Sequence, residues 1–183
     1  MFKFCQFILT FGYLGLSKRM PGTMGSLGGL LFWLIGSMTF YNLTFSIFFQ
    51  NFLWIVISLI MTLFACQKIE FYVNNFSKKI SSKNHNIDNQ TIVLDEVVGQ
   101  IIALQISINA IGDNYFSNYK IIFCHLLLSF IAFRFFDILK PSIIGMVDKK
   151  MKNAFGVMFD DIISGCVAGF LIYLSLNFII SVL

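Results

Sequence analysis

Acidic residues are scarce in this chain, and four of the nine are placed in two pairs where apolar stretches begin. Asp95-Glu96 follows Ile92-Val93-Leu94 and precedes Val97-Val98-Gly99-Gln100, and Asp160-Asp161 opens the last apolar run. One acid at such a helix entry is explained by the helix dipole, but two raise the desolvation cost and need a partner. A hard divalent cation with oxygen ligands is a suitable one. Asp95, Glu96, Asp160 and Asp161 are therefore candidate metal ligands, with simple helix capping as the competing explanation. Asp161, Gly165 and Gly169 share one helical face at i, i+4 and i+8, so the glycines would let that face approach a second helix and carry Asp161 inside.

Positive charge and phosphate-binding backbone accompany these acids. Arg134, Asp137 and Lys140 are spaced i, i+3, i+6 and end at Pro141, which predicts neighbours along one stripe. An internal ion-pair ladder explains that spacing, because a buried Arg must be paired. A phosphate site explains it too, with Arg suited to bidentate contact, Lys140 adding charge, and Asp137 orienting one or the other or acting as a general acid or base. The segment Pro21-Gly22-Thr23-Met24-Gly25-Ser26 has the composition of a helix start: Pro near the first turn, hydroxyls, and Gly where backbone must come close. Its amides, with Thr23 and Ser26, could receive a phosphate; alternatively Gly25 and Gly29 form a small-xxx-small packing pair. With Asp137 and the flanking Asp88, six of the nine acidic residues belong to these clusters. His125 sits on an apolar segment and is expected to be packed or hydrogen-bonded. Cys5, Cys66, Cys124 and Cys166 are widely spaced, without zinc or disulfide pattern, and are expected as small core residues.

The elements that must hold these groups are set by composition. Of 183 residues, 57% are hydrophobic and 12% charged, far from the soluble average of about a quarter charged. Apolar runs predict five membrane segments near 24–41, 45–67, 94–112, 121–139 and 160–183, each approaching the roughly 20 residues a helix needs to cross. The expected fold is all-α, a compact helical bundle with about four to five membrane-embedded helices, in a single domain over 1–183. A polar loop from Lys68 to Thr91 interrupts it, with some helix at its start, and Met1 to Leu16 is expected as an interfacial helix. With five crossings, eleven basic residues (Lys3, Lys18, Arg19, Lys68, Lys78, Lys79, Lys83, Lys140, Lys149, Lys150 and Lys152) fall on one side and Lys120 alone on the other. The positive-inside rule then puts the N-terminus and all four polar clusters at the cytoplasmic face.

Taken together, Met20 to Ser26, Ile92 to Gln100, Phe133-Arg134-Phe135-Phe136-Asp137-Ile138-Leu139-Lys140-Pro141 and Gly156-Val157-Met158-Phe159-Asp160-Asp161 resemble the bacterial phosphatidylglycerophosphatase A family. The four motifs come in the family's order. The resemblance implies an all-helical core and a magnesium-dependent phosphatase that converts phosphatidylglycerophosphate to phosphatidylglycerol in the bacterial inner membrane. On that basis Asp95, Glu96, Asp160 and Asp161 would hold one or two Mg2+ ions, while Lys140, Arg134 and the turn formed by Pro21, Gly22, Thr23, Gly25 and Ser26 grip the phosphate. The catalytic set would be Asp95, Glu96, Asp137, Lys140 and Asp161. The family's Gly pair before Gly156 is here Asn153-Ala154, and its aromatic-Pro pair after Lys140-Pro141 is Ser142-Ile143. These departures bear on loop shape more than on the reaction. The expected partners are the lipid substrate and membrane lipids, not nucleic acid. A small ion transporter or channel is the alternative from another class, since intramembrane carboxylates also mark ion paths.

Overall fold

A computed structural model describes residues 2–80, 91–141 and 153–182, which are helical with no strand among them. Six helices are described: α1 (Phe2–Leu9), α2 (Pro21–Asn42), α3 (Ile47–Ile80), α4 (Leu94–Ile108), α5 (Tyr119–Leu139) and α6 (Ala154–Val182). Short 3-10 turns lie at Leu14–Leu16 and Gly112–Ser117.

Four of the helices, α2, α3, α5 and α6, are long and apolar enough to cross a bilayer. Their outward faces carry exposed apolar side chains such as Ile35, Phe48, Ile60, Ile131 and Phe170, which in water would be a prohibitive surface and in lipid is an ordinary one. The chain is an all-α integral membrane protein. The fifth expected segment is α4, whose 15 residues reach about 22 Å, short of the ~30 Å hydrocarbon core. It runs through the middle of the bundle, packed on by α2, α3, α5 and α6, and most of its side chains are buried.

Each boundary has a local cause. Pro21 sits in the first turn of α2, where its missing N–H costs nothing. Asn118 Oδ1 accepts the Lys120 N–H at 3.0 Å to start α5, and Asn153 Oδ1 accepts the Gly156 N–H at 2.8 Å at the start of α6. Helix α5 ends at Lys140, which adopts a left-handed conformation (φ 42°) ahead of Pro141 and donates its N–H to Phe136 O. The end of α1 is tied to the start of α4 by the Val93 N–H donating to Leu9 O at 3.0 Å.

The helix expected at the start of the polar loop is present, and two other expectations are corrected. Helix α3 continues past Lys68 to Ile80, because Ile69, Tyr72 and Val73 keep a buried stripe beyond the lipid-level apolar run. Residues 81–90 of the polar loop, Asp88 included, lie outside the described residues. Helix α6 begins at Ala154, with Ala154 and Met158 buried and no acid in its first turn, so Asp160-Asp161 lies inside the helix and not at its opening. Cys5 is buried as expected, but Cys124 and Cys166 are exposed on the lipid-facing sides of α5 and α6, where a small apolar thiol is equally at home. His125 is packed and hydrogen-bonded as expected, between Ser107 Oγ (2.7 Å from Nε2) and Tyr115 OH (2.9 Å from Nδ1).

Candidate active site

The acids converge because α4 and α6 touch through backbone. A Cβ placed on Gly165 would lie 2.3 Å from Gly99 O, and one on Gly99 would lie 2.6 Å from Asp161 O. Neither position has room for a side chain, and the contact brings the Asp161 turn of α6 against the first turn of α4. Asp95, Glu96 and Asp161 each offer a carboxylate oxygen, all within 4.8 Å of one another. Asp95 and Asp161 are 8% and 4% exposed, so water does little to separate their charges. Asp95 Oδ1 accepts the N–H of Glu96 at 3.1 Å, whereas Glu96 Oε2 is buried with no hydrogen-bond partner in the protein. Three buried carboxylates this close repel one another unless a cation compensates them. Three hard oxygen donors at this spacing suit Mg2+.

Positive groups stand beside the triad. Arg134 Nη1 pairs with Asp137 one turn on and lies 3.4 Å from Ser26 Oγ. The Ser26 hydroxyl itself donates back to Gly22 O at 3.0 Å, so it braces Arg134 and is not a free donor at the helix start. A Cβ on Gly22 would lie 2.4 Å from Glu96 Oε1 and 3.3 Å from Arg134 Nη1. The first turn of α2 therefore abuts both the acids and the guanidinium. Met20 provides no side-chain cap there, which leaves the first amides after Pro21, those of Gly22 and Thr23, available to an anion. Gly25 takes the packing role instead, with its absent Cβ only 2.7 Å from Val93 Cβ.

The Arg134, Asp137, Lys140 stripe divides. The first pair forms, but Lys140 lies where the helix turns left-handed, and its Nζ reaches Asp160 on α6. Asp160 is thereby drawn to Lys140, leaving Asp95, Glu96 and Asp161 as the converging triad. Gln100 carries no role in the sequence argument, yet it is fully buried with neither amide atom hydrogen-bonded within the protein. The available signal was an amide one turn after Glu96 in an otherwise apolar stretch.

Comparison with known proteins identifies a family. The family described as phosphatidylglycerophosphatase A matches residues 7–176. Two proteins named "Phosphatidylglycerophosphatase A" are similar over 159 residues, or 87% of this chain: that of Escherichia coli (strain K12), 29% identical over 76% of its length, and that of Haemophilus influenzae (strain ATCC 51907 / DSM 11121 / KW20 / Rd), 30% identical over 80%. No solved structure matches.

Proposed function

Because the chain belongs to the phosphatidylglycerophosphatase A family and is a phosphatase, we propose that it removes the terminal phosphate of phosphatidylglycerophosphate, leaving phosphatidylglycerol. The observation that carries this is the convergence of Asp95, Glu96 and Asp161 beside Arg134 and the open start of α2, all at one end of a membrane bundle. A phosphomonoester at the lipid headgroup level needs such a combination of metal-holding acids, cations and backbone donors.

Asp95, Glu96 and Asp161 are the residues that would hold Mg2+. When bound, the ion neutralises phosphate charge and lowers the pKa of a water for in-line attack. Arg134, steadied by Asp137 and Ser26, offers its remaining N–H groups to phosphate oxygens, and Lys140 adds a second positive charge. The amides of Gly22 and Thr23 would donate to another phosphate oxygen at the α2 start. Asp160 holds Lys140 in reach, and Asp137 fixes the plane of the guanidinium. The apolar flanks of α2, α3, α5 and α6 keep the acyl chains in lipid while the polar end meets the headgroup. The location is the bacterial inner membrane with the site facing the cytoplasm, supported by the eleven-to-one distribution of basic residues. The ion-transporter alternative gains nothing from the placement of the site acids, which gather at one end.

Phosphate release from phosphatidylglycerophosphate in detergent micelles tests the assignment. We expect release with Mg2+, none with chelator, and a loss of roughly 100-fold or more in Asp161→Asn with an unchanged melting temperature. Full activity in Asp161→Asn would remove the triad from the reaction. A folded protein that releases no phosphate would overturn the substrate.

A further inference from the structure

Gln100 lies one helical turn beyond Glu96 on α4, about 6 Å deeper along the helix axis. Its neighbours fix where its face of α4 points. Val97 packs against Gly29 of α2, while Gly99 packs against Phe133 of α5 and Asp161 of α6. On a helix, position 100 falls between these directions, in the seam between α2 and α5, below Glu96 and the brace formed by Ser26 and Arg134. The side chain is fully buried, and both the amide oxygen and the amide nitrogen lack a hydrogen-bond partner within the protein. On the same face one turn above, Glu96 Oε2 is in the same condition.

A buried amide with two unmet groups is destabilising, and a leucine of similar size would fill the seam without that cost. The rest of α4 shows how polar groups are otherwise treated in this bundle. Gln105 accepts from Trp33 Nε1 at 2.6 Å, and Ser107 is bonded to Ala103 O and His125. Gln100 thus stands out as a polar side chain the fold itself does not use.

We propose that Gln100 is a positioning residue of the phosphatase site, its amide fixing the buried oxygen of Glu96 through a water held in the α2/α4/α5 seam. A water needs several polar partners to be held in such a place, and Glu96 Oε2 with the two ends of the Gln100 amide supply them. The carboxylate is then oriented from behind, so that its other oxygen, which faces Gly22, stays directed at the site. The proposal rests on the role given to Glu96 under the proposed function.

Gln100→Leu tests it, with three readouts in micelles. The melting temperature of the variant without added metal should equal or exceed that of wild type, since no direct hydrogen bond between protein groups is lost and leucine fills the seam. The turnover number should fall roughly tenfold, with KM for the lipid within twofold. The Mg2+ concentration that half-maximally raises the melting temperature should increase by a similar factor of roughly ten. A variant with wild-type turnover and wild-type Mg2+ response overturns the proposal, as does a lowered melting temperature, which would make the amide a structural group. If wild type neither releases phosphate nor gains stability from Mg2+, the function assigned above fails and this inference with it. An active wild type with an equally active variant sinks the inference alone.

Discussion

Lys140 has two possible duties, counter-ion for the buried Asp160 and grip on the substrate phosphate, and its backbone allows them to be separated. The residue is left-handed at the end of α5, a conformation glycine adopts at no steric cost. Lys140→Gly therefore removes the ammonium without straining the turn. We expect activity to fall by about 100-fold or more, together with a lower melting temperature, because the Asp160 carboxylate is 5% exposed and its ion pair with Lys140 is lost. Adding Asp160→Asn should restore the melting temperature but not the activity. Recovery of both in the double variant would reduce Lys140 to a counter-ion. At this scale the sequence reveals the acids well, since a carboxylate at the edge of an apolar run must be used or paired, and Asp95, Glu96 and Asp161 do converge. It does not reveal how the partners are shared. Regular i, i+3, i+6 spacing predicts Asp137 between Arg134 and Lys140, but the helix ends one residue early and sends Lys140 to Asp160 instead. Ser26 is hidden for a similar reason: its hydroxyl turns back to Gly22 O, a local bond that composition cannot distinguish from an outward one.

Helix α4 is the element on which the site depends, and two glycines that touch it should fail in different ways. An alanine at Gly165 meets the Gly99 carbonyl at 2.3 Å, and a backbone atom can yield only if the helices separate. We expect Gly165→Ala to cost about 1–3 kcal/mol, seen as a lower melting temperature with activity lost alongside. An alanine at Gly22 meets the tips of Glu96 and Arg134, which can swing aside. Gly22→Ala should therefore melt close to wild type while losing most of its turnover, and a large fall in its melting temperature would show that this contact supports the fold and not the site. The small-xxx-small spacing of Gly165 and Gly169 after Asp161 makes the α4/α6 contact foreseeable. The boundaries are less so. Apolar runs mark where lipid contact ends, whereas α3 and α6 are extended by buried residues such as Tyr72 and Met158, whose partners are distant in sequence.

Across the whole molecule, the helix directions and the charge distribution make one joint prediction. The acids and Arg134 gather where α2, α4 and α6 begin and α5 ends, so the chain alternates between the site end and the far end from α2 onward. Although α4 is too short to cross a bilayer alone, it still carries the chain from one end to the other inside the sheath of its neighbours. The start of α2 and the end of α6 must therefore lie on opposite sides. Among the described basic residues, Arg134 apart, Lys120 alone is placed at the far end, at the start of α5. Positively charged flanks resist transfer across the membrane during insertion, so the cytoplasmic orientation proposed above puts the far end outside. A reporter enzyme that is active only outside the cytoplasmic membrane should be active when fused after Leu183, and a fluorescent protein that matures only in the cytoplasm should stay dark there. The reverse pair of signals would place the acids on the outer face and overturn the cytoplasmic orientation proposed above.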